Sequence, residues 1–170
     1  MPIDFDLPDD QLGTVLSSLA LSFTMPYLEP YLIRSMKVAL ERIEDEALAE
    51  DVRRFSQQEG HHYRNHADLN ARVRSCFAEA AADELQSIEA ALDADYRRFT
   101  KEKSLRFNLA YAEGFEAMTC AIALASAEHG TLRGIPGGEI WDWHMAEEIE
   151  HRTVAFEVYD TLVGSYPYRI

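Results

Sequence analysis

Between Tyr31 and His129 the chain carries only two helix-breaking residues, Gly60 and Gly114, and no proline. A stretch that long with so little punctuation can run as long helices. The remaining Gly and Pro residues sit near the ends and in one cluster, Gly130 to Gly138. The pattern predicts an irregular arm and a short helix over residues 1–22. A first long helix then starts around Pro26 to Pro30, where a missing N–H costs little, although Pro30 can kink it. It ends near Glu44, and Asp45 caps a second helix that runs to about Val73. A third covers about Phe77 to Thr100, with Leu85, Ile88, Leu92, Tyr96 and Phe99 spaced by threes and fours along one face. A fourth, rich in alanine, spans about Leu105 to Glu128, and a fifth runs from Glu139 to about Leu162. Almost nothing reads as strand, so a single all-α domain over residues 1–170 is expected, with a helical bundle as its architecture.

Charge and cysteine usage narrow the function. Thirty acidic against sixteen basic side chains give a net charge of −14. That surface repels phosphate backbones, which argues against nucleic-acid binding. Two cysteines, Cys76 and Cys120, provide neither a disulfide framework nor a zinc-binding C-x-x-C. The apolar segment Leu12 to Met25 is interrupted by Gly13, Ser17, Ser18, Ser22 and Thr24, too short and polar for a membrane span. It follows Asp4, Asp6, Asp9 and Asp10, where a signal peptide would carry Lys or Arg. A cytoplasmic protein is the expectation.

Five of the six histidines fall in two short segments, Glu59-Gly-His-His-Tyr-Arg-Asn-His66 and His144-Met-Ala-Glu-Glu-Ile-Glu-His151. Each contains Glu-x-x-His: Glu59 with His62, and Glu148 with His151. Residues three apart on a helix share a face, so each motif aims one carboxylate and one imidazole the same way. A dimetal carboxylate bundle also needs one glutamate from each of two further helices. Antiparallel helices bring residues level when their turn lies midway between them. Glu29 and the Glu59/His62 pair have their midpoint near Asp45, at the turn already placed there. Glu116 and the Glu148/His151 pair have theirs near Leu132, inside the Gly130–Gly138 cluster. Glu113 competes with Glu116 from one turn earlier, and level favours Glu116. Between the halves, about 28 residues at about 1.5 Å each span about 40 Å, enough to return the chain along the bundle. One long helical crossover of this kind, between the second and fourth long helices, makes a ferritin-like four-helix bundle. Glu147, Glu150, Glu128, His61 and His129 read as solvated helix faces.

The segments Phe55-Ser-Gln-Gln-Glu59-Gly-His-His62-Tyr-Arg-Asn-His66 with Asn70, Glu116-Ala-Met-Thr119, and Trp141 through Phe156 resemble the ferritin-like family of predicted metal-dependent hydrolases. The likeness runs from about Phe23 to Arg169. Members of that family continue past the segment corresponding to Tyr166–Arg169, which implies a more open pocket where this chain stops. The spacing His144-x-x-x-Glu148-x-x-His151 also resembles the di-iron arylamine N-oxygenases. That resemblance implies His144 as a seventh ligand; a histidine bonded to a neighbouring carboxylate is the alternative. His66, seven residues beyond Glu59, shares its face and would point to the same side as His144, as a supporting group, a proton relay or an ordinary bundle residue.

Four carboxylates and two or three imidazoles carry about −4 charge, matching two divalent cations. The ligand set expected is Glu29, Glu59, His62, Glu116, His144, Glu148 and His151. Oxygen and imidazole donors without thiolate suit iron, with Mn/Fe, Mn or Zn as alternatives. The leading expectation is O₂ activation to oxidise a small organic substrate, N-oxygenation included, with an electron donor left open. Metal-dependent hydrolysis and a non-catalytic metal-binding bundle are the alternatives. Tyr111, Phe115, Met118, Trp141 and Trp143 would line a pocket or serve as core. The family resemblance and the apolar segment 12–25 suggest a homodimer.

Overall fold

A computed structural model describes residues 9–130 and 138–169. Among the described residues the elements are α1 (Asp9–Ser22), α2 (Met25–Leu40), α3 (Glu46–Arg74), α4 (Glu79–Glu102), α5 (Leu105–His129), α6 (Gly138–Glu150), α7 (Val154–Leu162) and α8 (Tyr166–Arg169), with no strand. The chain is an all-α helical bundle. The expected arm before Asp9, and all but the ends of the Gly130–Gly138 cluster, lie outside the described residues.

Local chemistry sets most of the boundaries. Asp45 is extended at the start of α3, and its carboxylate accepts from the N–H groups of Ala47 and Leu48. Two of the donors that a helix start leaves unpaired are thus satisfied. Ser104 caps α5 by accepting from Phe107 N–H. Gly130 closes the same helix at φ +63°, a left-handed conformation that glycine adopts without steric cost. Helix α2 continues through Pro30 without a break. The proline lies in the second turn, so the helix forgoes a single early bond and keeps its packing.

Helix α2 lies at the centre, packed on α3, α4 and α5, while α3 and α5 close on α6 and α7. Two apolar layers result. One is built from Leu28, Tyr31, Leu32, Met36, Val52, Phe55, Leu109 and Val158. The other lies further along the bundle in two patches, Val15, Leu19, Phe23, Leu69 and Val73, and Met25, Ala123, Trp141 and Met145. Between them, α3 passes from Phe55 through Glu59, His62 and His66 to Leu69, and α5 from Ala112 through Glu116 and Thr119 to Ala123. All of these are buried. A polar layer sandwiched in this way has no water to satisfy it, so its own groups must do so.

Helix α4 is the crossover and packs against α2, adding Tyr96 to the apolar core. Its Tyr96 stacks on Tyr31 with ring centroids 5.0 Å apart, and its Glu89 takes Arg74 and Tyr27 as partners. Ile88, expected on the inner face, is 60% exposed, and the neighbouring Glu89 is the residue buried at that level. The fifth helix is not continuous. It breaks after Glu150 and resumes at Val154, whose N–H bonds back to His151 O at 3.0 Å. Of the apolar segment 12–25, Val15, Leu19 and Phe23 face α3, whereas Leu12 and Leu16 remain exposed. No helix of the described residues is long and apolar enough to cross a membrane. Cys76 and Cys120 are free thiols.

Candidate metal centre

Helices α2, α3, α5 and α6 each send acidic or imidazole side chains into the polar layer. Glu29, Glu59, His62, His66, Glu116, His144, Glu148 and His151 are all buried. Glu59, His62, Glu148 and His151 can each offer one donor atom within 4.8 Å of the others, and Glu29, His62 and His144 can do the same. A span of that size is what opposite donors about 2.0–2.5 Å from one cation would show. Glu116 joins the first group through His151, with its Oε2 3.4 Å from Nδ1. Glu113 is buried as well, one turn away on α5.

The break between α6 and α7 falls at the second motif. His151 is the first residue past α6, yet its N–H still bonds to Glu147 O at 3.0 Å, so the three-residue spacing keeps its helical direction. His151 Nε2 approaches Glu59 at 3.2 Å, and Phe55 packs edge-on against its ring.

A fit test comes from the unpaired atoms. Glu29 Oε1 and Oε2, Glu59 Oε1, His62 Nδ1, Glu116 Oε2 and both nitrogens of His151 are buried with no aligned hydrogen bond. Leaving one such atom unpaired costs about 1–3 kcal/mol, and seven in one layer would be prohibitive in a core built for its own sake. Bare carboxylate oxygens and imidazole nitrogens facing one another are what a cation needs, so the residues fit a metal. The titration behaviour agrees. Burial pushes Glu29 and Glu116 well above the carboxylate range, and neighbouring carboxylates, Glu59 and Glu148 in each case, add to it. Burial also acts to raise Glu59, but the His151 and His62 imidazoles outweigh it and hold the group at about 2. His151 responds in kind: burial lowers it, but Glu116 and Glu59 carry it up to about 11. Without a cation, protons do the neutralising.

Hydrogen bonds orient the donors. His62 donates Nε2–H to Glu147 at 2.9 Å, which leaves Nδ1 bare and pointed at Glu59 (3.5 Å) and Glu148 (3.8 Å). Glu147 therefore corrects the sequence reading: it is not a solvated face charge but the group that sets the His62 tautomer, with 22% of its side chain still exposed. Thr119 donates to Glu148 Oε2 at 2.6 Å. Its signal was its place three residues after Glu116 on one helix face. His144 lies on the other side of Glu148, its Nε2 2.9 Å from Oε1 and 3.9 Å from Glu29. Its ring stacks on His62 with centroids 4.0 Å apart. His66 meets His144 Nδ1 at 2.8 Å, and burial, with the His144 and His62 rings beside it, pushes His66 down to about 2. Glu150, Glu128, His61 and His129 are exposed, as the sequence reading has them.

Of the aromatic residues, Trp141 is buried and stacks on His144. Trp143 meets His62 edge-on. Tyr111 and Phe115 pack on the core, and Met118 is 45% exposed. A cavity of about 450 Å³ between α1, α5 and α6 has Trp141 and Met145 in its wall.

No curated protein and no solved structure matches the sequence. A family model described as predicted metal-dependent hydrolase matches residues 7–170. With nearly the whole chain covered, and a buried carboxylate–imidazole cluster that could hold metal at its centre, the protein belongs to the family of predicted metal-dependent hydrolases.

Proposed function

We propose that this protein is a dimetal carboxylate enzyme in which Glu29, Glu59, His62, Glu116, His144, Glu148 and His151 hold two divalent cations. The carrying observation is the set of buried, unpaired donor atoms that face one another between two apolar layers. Hydrolysis of a small organic substrate is the first reading, because it is what the family description names. A bound cation pair supplies a polarised substrate oxygen and water made nucleophilic near neutral pH. The chain's own residues do the rest. Thr119 and Glu147 hold Glu148 and His62 in place from outside the cluster. Glu147 is both bonded to the cluster and part-exposed, so it can pass a proton to solvent. Trp141 and Met145 screen the His144 side from the neighbouring cavity.

Oxygen activation by an iron or mixed Mn/Fe pair, with oxidation of a small substrate such as an amine, is the second reading. It is favoured by a donor set of four carboxylates and three imidazoles without thiolate, which suits hard, redox-active ions. A homodimer using the exposed Leu12 and Leu16 of α1, and a cytoplasmic address, belong to the same proposal. The experiment is to load metal-free protein separately with Zn(II), Mn(II) and Fe(II) and count bound ions. Ester, amide and phosphoester hydrolysis is then measured anaerobically, and O₂ uptake by the iron form in air. Two ions per chain with Zn- or Mn-supported hydrolysis upholds the first reading. Stoichiometric O₂ uptake without hydrolysis transfers the assignment to the second. Failure to bind two ions removes both.

A further inference from the structure

A chain of side chains beyond the metal cluster has one permitted direction of hydrogen bonding. Asn70 Nδ2 lies 2.8 Å from the backbone oxygen of Ser22, which can only accept, so that atom is the amide nitrogen. The other amide atom, Oδ1, can then only accept, and Ser22 Oγ donates its single proton to it at 2.6 Å. Ser22 Oγ has no proton left for His66, so the 2.8 Å contact between them is His66 donating Nδ1–H. One proton lies between His66 Nε2 and His144 Nδ1, also 2.8 Å apart. On His66 it would create a buried cation bonded only to a hydroxyl and another imidazole, with no carboxylate to offset it. It therefore sits on His144.

We propose that Asn70, Ser22 and His66 form a one-way relay that holds His144 in its Nδ1–H form and so makes Nε2 the atom it offers to metal. This rests on the dimetal reading and identifies the part of the chain that decides how the third imidazole binds. With Nδ1 committed, only Nε2 can face Glu148 Oε1 and Glu29 Oε1, and the space between holds one electrophile, a proton or a cation. His62 is held the opposite way, its Nε2–H given to Glu147 and Nδ1 turned inward. Two stacked imidazoles thus present opposite nitrogens to the same carboxylate, Glu148, and each is set by its own outer partner. Ser22 is the last residue of α1, so the relay also ties that helix to the ligands. Asn70, Ser22 and His66 are positioning residues; none of them belongs to the donor groups that could hold a cation, and they act through His144.

The test is long-range ¹H–¹⁵N correlation of the imidazole rings in the whole 19.4 kDa protein, without metal and with Zn(II) as the probe. The expected metal-free result is a proton on Nδ1 of both His66 and His144 and a bare Nε2 on His66. On adding zinc, His144 should keep Nδ1–H while its Nε2 takes the metal-bound shift, and His62 should show the reverse pattern. Ser22→Ala removes the acceptor and should weaken zinc binding about 10–100-fold, with the His66 and His144 tautomers scrambled, while Ser22→Thr restores both. A proton on His66 Nε2, or zinc on His144 Nδ1, would overturn the relay while leaving the dimetal reading intact. So would Ser22→Ala with unchanged tautomers and affinity. Absence of zinc uptake by the wild-type chain would instead overturn the dimetal reading and the ligand role of His144. Should Ser22→Ala fail to fold, the wild-type spectra still decide the direction of the relay.

Discussion

Adding a divalent cation to the metal-free protein is expected to raise its melting temperature by about 8–16 °C for each site filled. The reasoning starts from the seven buried donor atoms without aligned partners on Glu29, Glu59, His62, Glu116 and His151. These groups are brought together only in the folded chain, so a cation that needs several of them binds that state and not the unfolded one. Free metal at about a thousand times its dissociation constant then adds about 4 kcal/mol per site. For a chain of this size, about 1 kcal/mol moves the midpoint by about 2–4 °C, which gives the stated range. The measurement is thermal unfolding by circular dichroism with Zn(II) or Mn(II), with bound metal counted on the same samples. A chain of net charge −14 also attracts cations to its surface, so Glu59→Ala and Glu148→Ala serve as controls and should lose most of the gain. An equal rise in wild type and both variants would refute the reasoning, because the stabilisation would then come from the acidic surface. So would a flat midpoint at millimolar metal.

Three further outcomes follow from the same geometry. In the metal-free protein Glu29 and Glu116 are raised, so the folded chain keeps protons that the unfolded chain releases above the ordinary carboxylate range. His151, held at about 11 against an ordinary 6.5, acts in the same direction. Stability contributed by these groups is complete at low pH and lost as pH rises through their folded values, so the metal-free midpoint should fall between about pH 6 and pH 9. Glu59, at about 2, contributes in the opposite sense, and its share is lost only as pH falls from about 4.5 toward 2. The metal-loaded protein should show a weaker trend or the reverse, since cations require deprotonated donors; parallel curves would contradict the assignment. Glu147→Ala should weaken metal binding about 10–100-fold by freeing the His62 ring, measured by titration calorimetry, whereas the exposed Glu150→Ala should not. Asp45→Ala should cost about 1 kcal/mol, a fall of about 2–4 °C in the midpoint with metal stoichiometry unchanged; no fall would mean that the cap adds nothing to α3.

Much of this protein is set locally and can be read along the chain. With only Gly60 and Gly114 and no proline across Tyr31–His129 the chain is free to run as long helices, and Asp45 starts α3 because its carboxylate sits within reach of two N–H groups of its own first turn. Glu-x-x-His at helical spacing brings Glu59 with His62, and Glu148 with His151, onto shared faces before any tertiary contact exists. Equal distances from the turns bring Glu29 and Glu116 to their level. What tertiary packing alone decides is which atom of each ligand is free. Glu147 looks like one more acid on an acidic helix until α3 places His62 Nε2 2.9 Å from it. Ser22 and Asn70, 48 residues apart, acquire a direction of hydrogen bonding only because α1 docks against α3, and that direction passes through His66 to His144. The break at His151–Thr153 likewise has no glycine or proline to announce it. Helical periodicity is a property of neighbours along the chain and survives in the sequence. A tautomer is chosen by whichever group a fold brings to the far side of a ring, and that choice is made in three dimensions.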